Sequence, residues 1–314
     1  MNDLLQQVHQ SLTAVPGFEG ITQDDYSSQK LGGLTNLVFK IDTGKDRYVL
    51  RIPGEGTEEY IDRAVEIHNA KVAAKAGVSA EVIYADSETG VMLTRCIDGI
   101  VTMTPEKFSN RQGSAARAGH ALKKMHSCGE NFRFRFELFA MIDDYLGILE
   151  KQKAELPDGY SDVVKAAQPV REALDLNPAI LVPCHCDPLC ENFLDNGDRM
   201  WIVDWEYSGM NDPLWDLGDL SVEAGFNAAQ DLEMMRAYCG AEPSVAEMGR
   251  MVIYKAMCDL LWTLWGLIQH SNGNPAEDFW TYSIDRFERC KTLMVDPAFE
   301  QHVKAIRENA GADG

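Results

Sequence analysis

Positive charge is scarce in this sequence. Its 314 residues hold 29 Lys and Arg against 49 Asp and Glu, a formal net charge of -20. A nucleic-acid-binding surface carries a basic footprint, so that class is not expected. A cationic small-molecule partner is compatible with the balance. No apolar run approaches the roughly 20 residues that span a bilayer, so membrane insertion is not expected either. The opening MNDLLQQVHQ lacks a basic segment followed by an apolar one, and no signal peptide is expected. The eight cysteines are scattered along a long chain, which is not a disulfide scaffold; free thiols and a cytoplasmic location are the expectation. The cluster Cys184-His185-Cys186…Cys190 has no second CxxC or HxxxH partner, so a structural zinc is not expected. Tryptophan is absent from the first 200 residues; all six lie beyond them.

What is present is material for a substantial core, 45% hydrophobic residues, enough for one large or two modest domains. Residues 1–98 read as a β-rich lobe. Leu37–Asp42 and Arg47–Ile52 flank Thr43-Gly44-Lys45-Asp46, a hairpin signal. Tyr60–Ala76 carries apolar spacing at 61, 64, 65, 68, 72 and 73 and ends at Gly77, which predicts a helix. Val82–Tyr84 and Val91–Thr94 predict further strands around the turn at 86–90. Residues 99–314 read as mainly helical, interrupted by a short hairpin around Asn196-Gly197.

That hairpin carries chemistry at both ends. His185-Cys186-Asp187-Pro188-Leu189-Cys190-Glu191-Asn192 has the form H-x-D-x-x-x-x-N, and the hairpin then delivers Asp204. This is the spacing of the protein-kinase catalytic loop. Phosphoryl transfer needs a base near the acceptor hydroxyl and oxygen ligands for Mg²⁺ on the phosphates. Asp187 suits the base, Asn192 and Asp204 the ligands, and His185 a positioning role. The competing reading is a polar loop of Asx turns. Upstream, Gly32, Gly33, Thr35 and Asn36 precede a strand and suit a phosphate-approaching loop, although Gly-Gly there also reads as a plain turn. Arg51 on the following strand suits the phosphates and pairs in principle with Glu66, or failing that Asp62; the alternative is an exposed strand residue. Adenine is expected near Leu93–Ile97.

From Asp187 to Glu233 there are twelve acidic residues and one basic, Arg199. A solvated face explains such a run, yet this one also holds Trp201, Trp205, Tyr207 and Trp215. In the segment 252–268, Ile253, Met257, Leu260, Leu264, Leu267 and Ile268 cluster within about 60° of one direction. Trp262 points opposite them and Trp265 off to one side. They either pack on another helix or line a wall for a quaternary ammonium.

The chain resembles the choline/ethanolamine kinase family, within the aminoglycoside-phosphotransferase-like kinases. Gly32–Asn36 is similar to its phosphate loop, Val49–Ile52 to its Arg-bearing strand, His185–Asn192 to its catalytic loop. Ile202–Asn211 with Asp216 and Glu223 is similar to its choline-kinase motif, and Trp262-Thr263-Leu264-Trp265 with Tyr282, Arg286 and Phe287 to its aromatic segment. Cys186 departs from the Asn or Gly usual there, and Trp205 from the usual Phe. The resemblance implies an α+β, protein-kinase-like two-lobed fold, with nucleotide in 1–98 and catalysis and substrate in 99–314. It implies ATP, Mg²⁺ and a small cationic alcohol: choline, with Trp262, Trp265 and Tyr282 boxing the ammonium and Glu206 and Tyr207 also substrate-side. Ethanolamine, thiamine or an aminoglycoside remain alternatives, as does an inactive binding module. The oligomeric state stays open, a homodimer included.

Overall fold

The computed structural model describes residues 2–32, 36–54 and 61–309. The chain runs through α1 (Asn2–Thr13), β1 (Ser27–Gly32), β2 (Asn36–Asp42), β3 (Arg47–Pro53), α2 (Arg63–Lys75), β4 (Val82–Ala85), β5 (Met92–Arg95) and β6 (Val101–Thr102). It continues through α3 (Pro105–Asn110), α4 (Ser114–His126), α5 (Leu138–Gln152), α6 (Tyr160–Ala166), α7 (Gln168–Leu176), β7 (Val182–Cys184), β8 (Phe193–Asp195), β9 (Met200–Ile202) and β10 (Gly209–Asn211). Five helices close it: α8 (Pro213–Glu223), α9 (Ala228–Cys239), α10 (Val245–Ser271), α11 (Phe279–Met294) and α12 (Pro297–Asn309). A small sheet followed by a helical lobe is the two-lobed, kinase-like α+β architecture that the sequence predicts.

The sheet is antiparallel, in the order β1-β2-β3-β5-β4. β2 and β3 pair from Asn36↔Pro53 to Asp42↔Arg47. Between them Thr43 N–H donates to Asp46 O at 3.0 Å, and Gly44 supplies a φ of +77°. Strand alternation turns Phe39, Ile41, Leu50 and Ile52 onto Val8 and Leu12 of α1, which closes a small core. The sheet ends at Arg95; Val101 already pairs with Asp195 of β8.

α2 belongs to the other core. Its sequence spacing puts positions 61, 64, 65, 68, 72 and 73 inward. Ile61, Val72 and Ala73 are buried as that spacing predicts; the helix itself starts at Arg63, because the Asp62 carboxylate accepts the N–H groups of Ala64 and Val65 at 3.0 and 3.1 Å. Tyr60 lies outside the described residues. Glu66, Ile67, Asn69 and Ala70 are buried, and Ala64 is exposed. The polar residues are inside because they are bonded there. Asn69 Nδ2 donates to Ser208 O and Oγ, both at 3.0 Å, and Asn69 Oδ1 accepts Arg133 N–H at 3.2 Å. Buried amides of this kind stabilise only when both ends are satisfied.

α10 lies at the centre of the large lobe, packed by α5, α8, α11 and α12. It corrects the expectation that no apolar run is long enough to span a bilayer. Among the described helices it alone passes that test by length and composition, and 78% of its apolar window is buried in the protein. A helix apolar on all sides is here a central core helix.

α4 and α9 cross where Gly119 has no side chain. A Cβ there would come within 2.4 Å of Met234 O. Gly119→Ala should therefore destabilise the protein by about 1–3 kcal/mol through overpacking. Urea denaturation measures it; an unchanged midpoint would show that the two helices separate freely.

Candidate active site

The catalytic-loop residues are set by one buried carboxylate. Asp216, in the first turn of α8, accepts His185 N–H at 2.7 Å and Cys186 N–H at 2.8 Å, while His126 Nε2 lies 3.0 Å from Oδ2. Trp215 Nε1 donates to Cys186 O at 3.0 Å. These bonds hold Cys186 at φ +68°, a left-handed conformation that non-glycine residues adopt at a cost of about 1–2 kcal/mol. That explains why Asn or Gly is usual at this position in the resembling family. Burial pushes the Cys186 thiol well above its ordinary range, so it is not a nucleophile.

Asp187 follows and is half-buried. Its backbone O accepts Asn192 Nδ2 at 3.1 Å, so the side-chain carbonyl oxygen of Asn192 could serve as a metal ligand. His185 Nε2 meets Val203 O at 2.9 Å, and its ring lies 4.9 Å from that of Trp205. Burial holds this imidazole below its usual pKa. His185 thus ties the loop to the strand end that carries Asp204. Asp204 itself adopts φ +68°. The loop, Asn192 and Asp204 are brought together.

On the sheet side Arg51 bridges the lobes. Its Nη1 ion-pairs with Glu66 of α2 and lies 3.3 Å from Asp204 Oδ1. The side chain is 12% exposed, which excludes a solvated strand residue. Its Nε and Nη2 meet no hydrogen-bond partner among the described residues. Buried guanidinium donors left open in this way suit phosphate oxygens. Asp62 is committed to capping α2. Arg63, which sequence reasoning missed, donates to Glu66 at 2.8 Å from the preceding turn. Gly33 and Thr35 lie outside the described residues; Gly32 ends β1.

Glu206 stands on this same side. Asn36 Nδ2 donates to it at 3.1 Å, and Arg63 Nη1 is 3.8 Å away. One oxygen each of Glu66, Asp204 and Glu206 lies within 4.8 Å of the others. Glu206, expected on the substrate side, thus stands with Glu66 and Asp204, while the Tyr207 ring lies by Trp262. All-oxygen donors crowding carboxylates together fit a hard divalent cation. Burial, opposed by Arg51, raises Asp204. Burial and then Asp204 push Glu206 up to about 7. Burial and then Glu223, Asp204 and Glu206 hold Asp187 well above the carboxylate range.

The aromatic residues do meet. Trp262 and Trp265 are edge-to-face at 6.3 Å; Tyr207 lies 5.6 Å from Trp262 and Tyr282 5.9 Å from Trp265. Phe279, missed by the sequence reading, is 5.6 Å from Trp265. Trp262 is only 4% exposed, and Trp265 meets Phe279 and Tyr282 of α11, so the rings pack on one another and on the neighbouring helix. Arg286 donates to Glu223 at 2.6 Å and stacks 4.5 Å over the Tyr282 ring. Tyr145 of α5 had no sequence signal; burial and then Asp187 push its hydroxyl up to about 12, which places it near the loop.

A second cluster, His126, Cys184 and Asp216, has metal-ligand spacing. Its atoms are already used: both Asp216 oxygens as above, and the second His126 nitrogen on Tyr238 OH at 3.0 Å.

An H-x-D-x-x-x-x-N loop followed by an Asp204 that meets the Arg51–Glu66 pair across the lobes defines a kinase-type phosphotransferase. The model of the phosphotransferase enzyme family matches residues 29–248, and the chain belongs to that family. The chain is similar to a choline/ethanolamine kinase family protein of Mesorhizobium loti, at 59% identity, 96% of this chain, 99% of that one and a TM-score of 0.89. It is similar to protein LicA of Haemophilus influenzae, 29% identical over 88% of this chain and 82% of that one. Its fold is also that of choline kinase LicA from Streptococcus pneumoniae, at 24% identity, 93% and 99% coverage and a TM-score of 0.77.

The raised carboxylates have a stability consequence. A carboxyl whose folded pKa exceeds its unfolded value favours folding at low pH, and that advantage is lost as pH rises through the folded pKa. With Glu206 near 7, the ligand-free protein should melt at lower temperature at pH 8 than at pH 6, and Glu206→Gln should flatten that slope. Melting curves across this range decide it; a slope unchanged in Glu206→Gln would mean that Glu206 does not titrate there.

Proposed function

We propose that this chain transfers the γ-phosphoryl group of ATP to the hydroxyl of choline, giving phosphocholine and ADP. The observation that carries the reading is the junction of two devices around Asp187. On one side stand Arg51, Asp204 and Asn192, with anion- and cation-binding atoms; on the other stand the rings of Tyr207, Trp262, Trp265 and Tyr282. The similarity to a choline/ethanolamine kinase family protein and to LicA points the same way.

In this reading Asp187 orients the alcohol and accepts its proton as the oxygen attacks phosphorus and the β–γ bridging oxygen leaves with ADP. Gly32, Gly33, Thr35, Asn36 and Arg51 hold the phosphates, and Glu66 holds Arg51. Asn192, Asp204 and Glu206 hold Mg²⁺, which when bound neutralises phosphate charge. His185 keeps the loop against β9. Adenine is assigned to the segment Leu93–Ile97, where the N–H groups of Arg95 and Cys96 are already donated to Glu81 O and Arg47 O, each at 2.9 Å.

ADP release measured over a panel of amino-alcohols tests the reaction, with choline expected to be turned over. Asp187→Asn should lower kcat by orders of magnitude while nucleotide binding holds, since the base acts in the transition state. More than about a tenth of wild-type kcat in that variant would remove Asp187 from the role. No turnover of any amino-alcohol would refute the function itself.

The choice of alcohol rests on the rings. A trimethylammonium offers diffuse charge and apolar surface; a primary ammonium is better hydrated and wants directed acceptors. Trp262 is too buried for a clean test, because truncating it would cost about 3–5 kcal/mol of stability. Trp265→Ala should raise KM for choline roughly 5–30-fold and for ethanolamine less. Equal rises for both substrates would leave the preference to other groups.

A further inference from the structure

One face of α8 carries three acids. Asp216, Asp219 and Glu223 fall within about 60° of one another at 100° per residue. Asp216 is fully engaged by the loop N–H groups and His126, and Glu223 is ion-paired through one oxygen with Arg286 at 2.6 Å. Asp219 is different. It is 1% exposed, and among the described residues its Oδ2 takes only a long bond from Trp262 Nε1 at 3.4 Å and its Oδ1 has no hydrogen-bond partner. A buried carboxylate oxygen with no partner costs free energy that a bound group must offset.

Its surroundings say what that group is. The charged neighbours of Asp219 are Glu223, Asp187 and Arg286. Arg286 is already spoken for by Glu223 and by Asp259 at 3.3 Å, with its plane over Tyr282. Burial and then Glu223 hold the Asp219 carboxyl well above its usual range, as expected of an acid that lacks a cation. Trp262, which Asp219 touches, is itself a wall of the aromatic cage.

We propose that Asp219 is a specificity-determining residue: its carboxylate is the charged floor beneath Trp262 and makes the cage prefer a cationic head over an uncharged head of the same shape. The proposal rests on the amino-alcohol reading above and deepens it. The rings supply shape and a weak attraction, and Asp219 supplies the full negative charge. A purely structural role, anchoring Trp262 Nε1, needs an acceptor oxygen but no charge, and Asn would serve it equally well.

Asp219→Asn separates the two. Equilibrium binding of choline, and of the uncharged isostere in which carbon replaces the choline nitrogen, is measured by isothermal titration in wild type and variant, alongside a thermal melt. Wild type should prefer choline. The variant should bind choline about 10-fold more weakly, bind the isostere within about twofold of wild type, and keep its affinity for ATP. A wild type with no preference, an unchanged choline affinity, or equal losses for both ligands would each overturn the proposal. Because binding rather than turnover is read, absence of phosphoryl transfer would refute the enzymatic reading without deciding the role of Asp219.

Discussion

The buried carboxylate of Asp216 is the constraint on which the site depends. Two successive N–H groups, of His185 and Cys186, converge on it at 2.7 and 2.8 Å. Consecutive amides point to one acceptor only if the backbone between them bends sharply, and the positive φ of Cys186 is that bend. The bend turns Asp187 toward the lobe junction. His126 and Tyr238 complete the chain, so α4, α8 and α9 all bear on the conformation of one loop. Fully satisfied networks of this kind are rigid, and a partly satisfied one would be costly. The strain at Cys186 is thus sustained by the large core and not by the loop itself.

Around that loop the protein gathers more carboxylates than cations. Asp187, Asp204, Glu206 and Asp219 all lie above their ordinary titration range, each mainly through burial. Arg51 counters one group of them and Arg286 another. Such an imbalance weakens the fold near neutral pH and strengthens every interaction with an arriving cation, because the same low dielectric governs both. The scarcity of Lys and Arg seen along the whole chain is concentrated here, where it has a local consequence.

Much of this was legible in the sequence, for reasons that differ by residue. The β2–β3 and β8–β9 hairpins follow from short apolar runs around Gly-bearing turns, which are local signals. The H-x-D-x-x-x-x-N loop and Asp204 follow from fixed spacing, and Arg51–Glu66 from a strand and the next helix. What escaped is what depends on tertiary neighbours. The face that α2 buries is mixed, Ile67, Ala70, Val72 and Ala73 beside polar residues, because Asn69 and Glu66 find partners on Ser208 and Arg51. Asp216 serves backbone atoms, which no pattern of side chains reveals. Glu206 gathers with Asp204 and Glu66, a neighbourhood that joins a loop after β9 to α2 and has no local sequence signal. Tyr145 comes from an element with no motif, and Phe279 lies three residues before Tyr282, outside the motif residues of the aromatic segment.

The aromatic cage raises the same point about packing and chemistry. α10 and α11 approach closely at Gly266, where a Cβ would lie 2.3 Å from Ser283 Oγ and 2.6 Å from Tyr282 Cδ1. The place of the Tyr282 ring is therefore set by a missing side chain on the neighbouring helix. Arg286 covers one face of that ring at 4.5 Å, and Trp265 meets it edge to face at 5.9 Å. Trp262 is fixed from below by Asp219 and from the side by Tyr207. None of these rings can move without disturbing a buried contact. The spacing of the rings is thus a property of helix packing, tied to α8 through the bond from Trp262 to Asp219. Under the proposed reading, α10 and α11 set the size of the head that fits and α8 sets its charge.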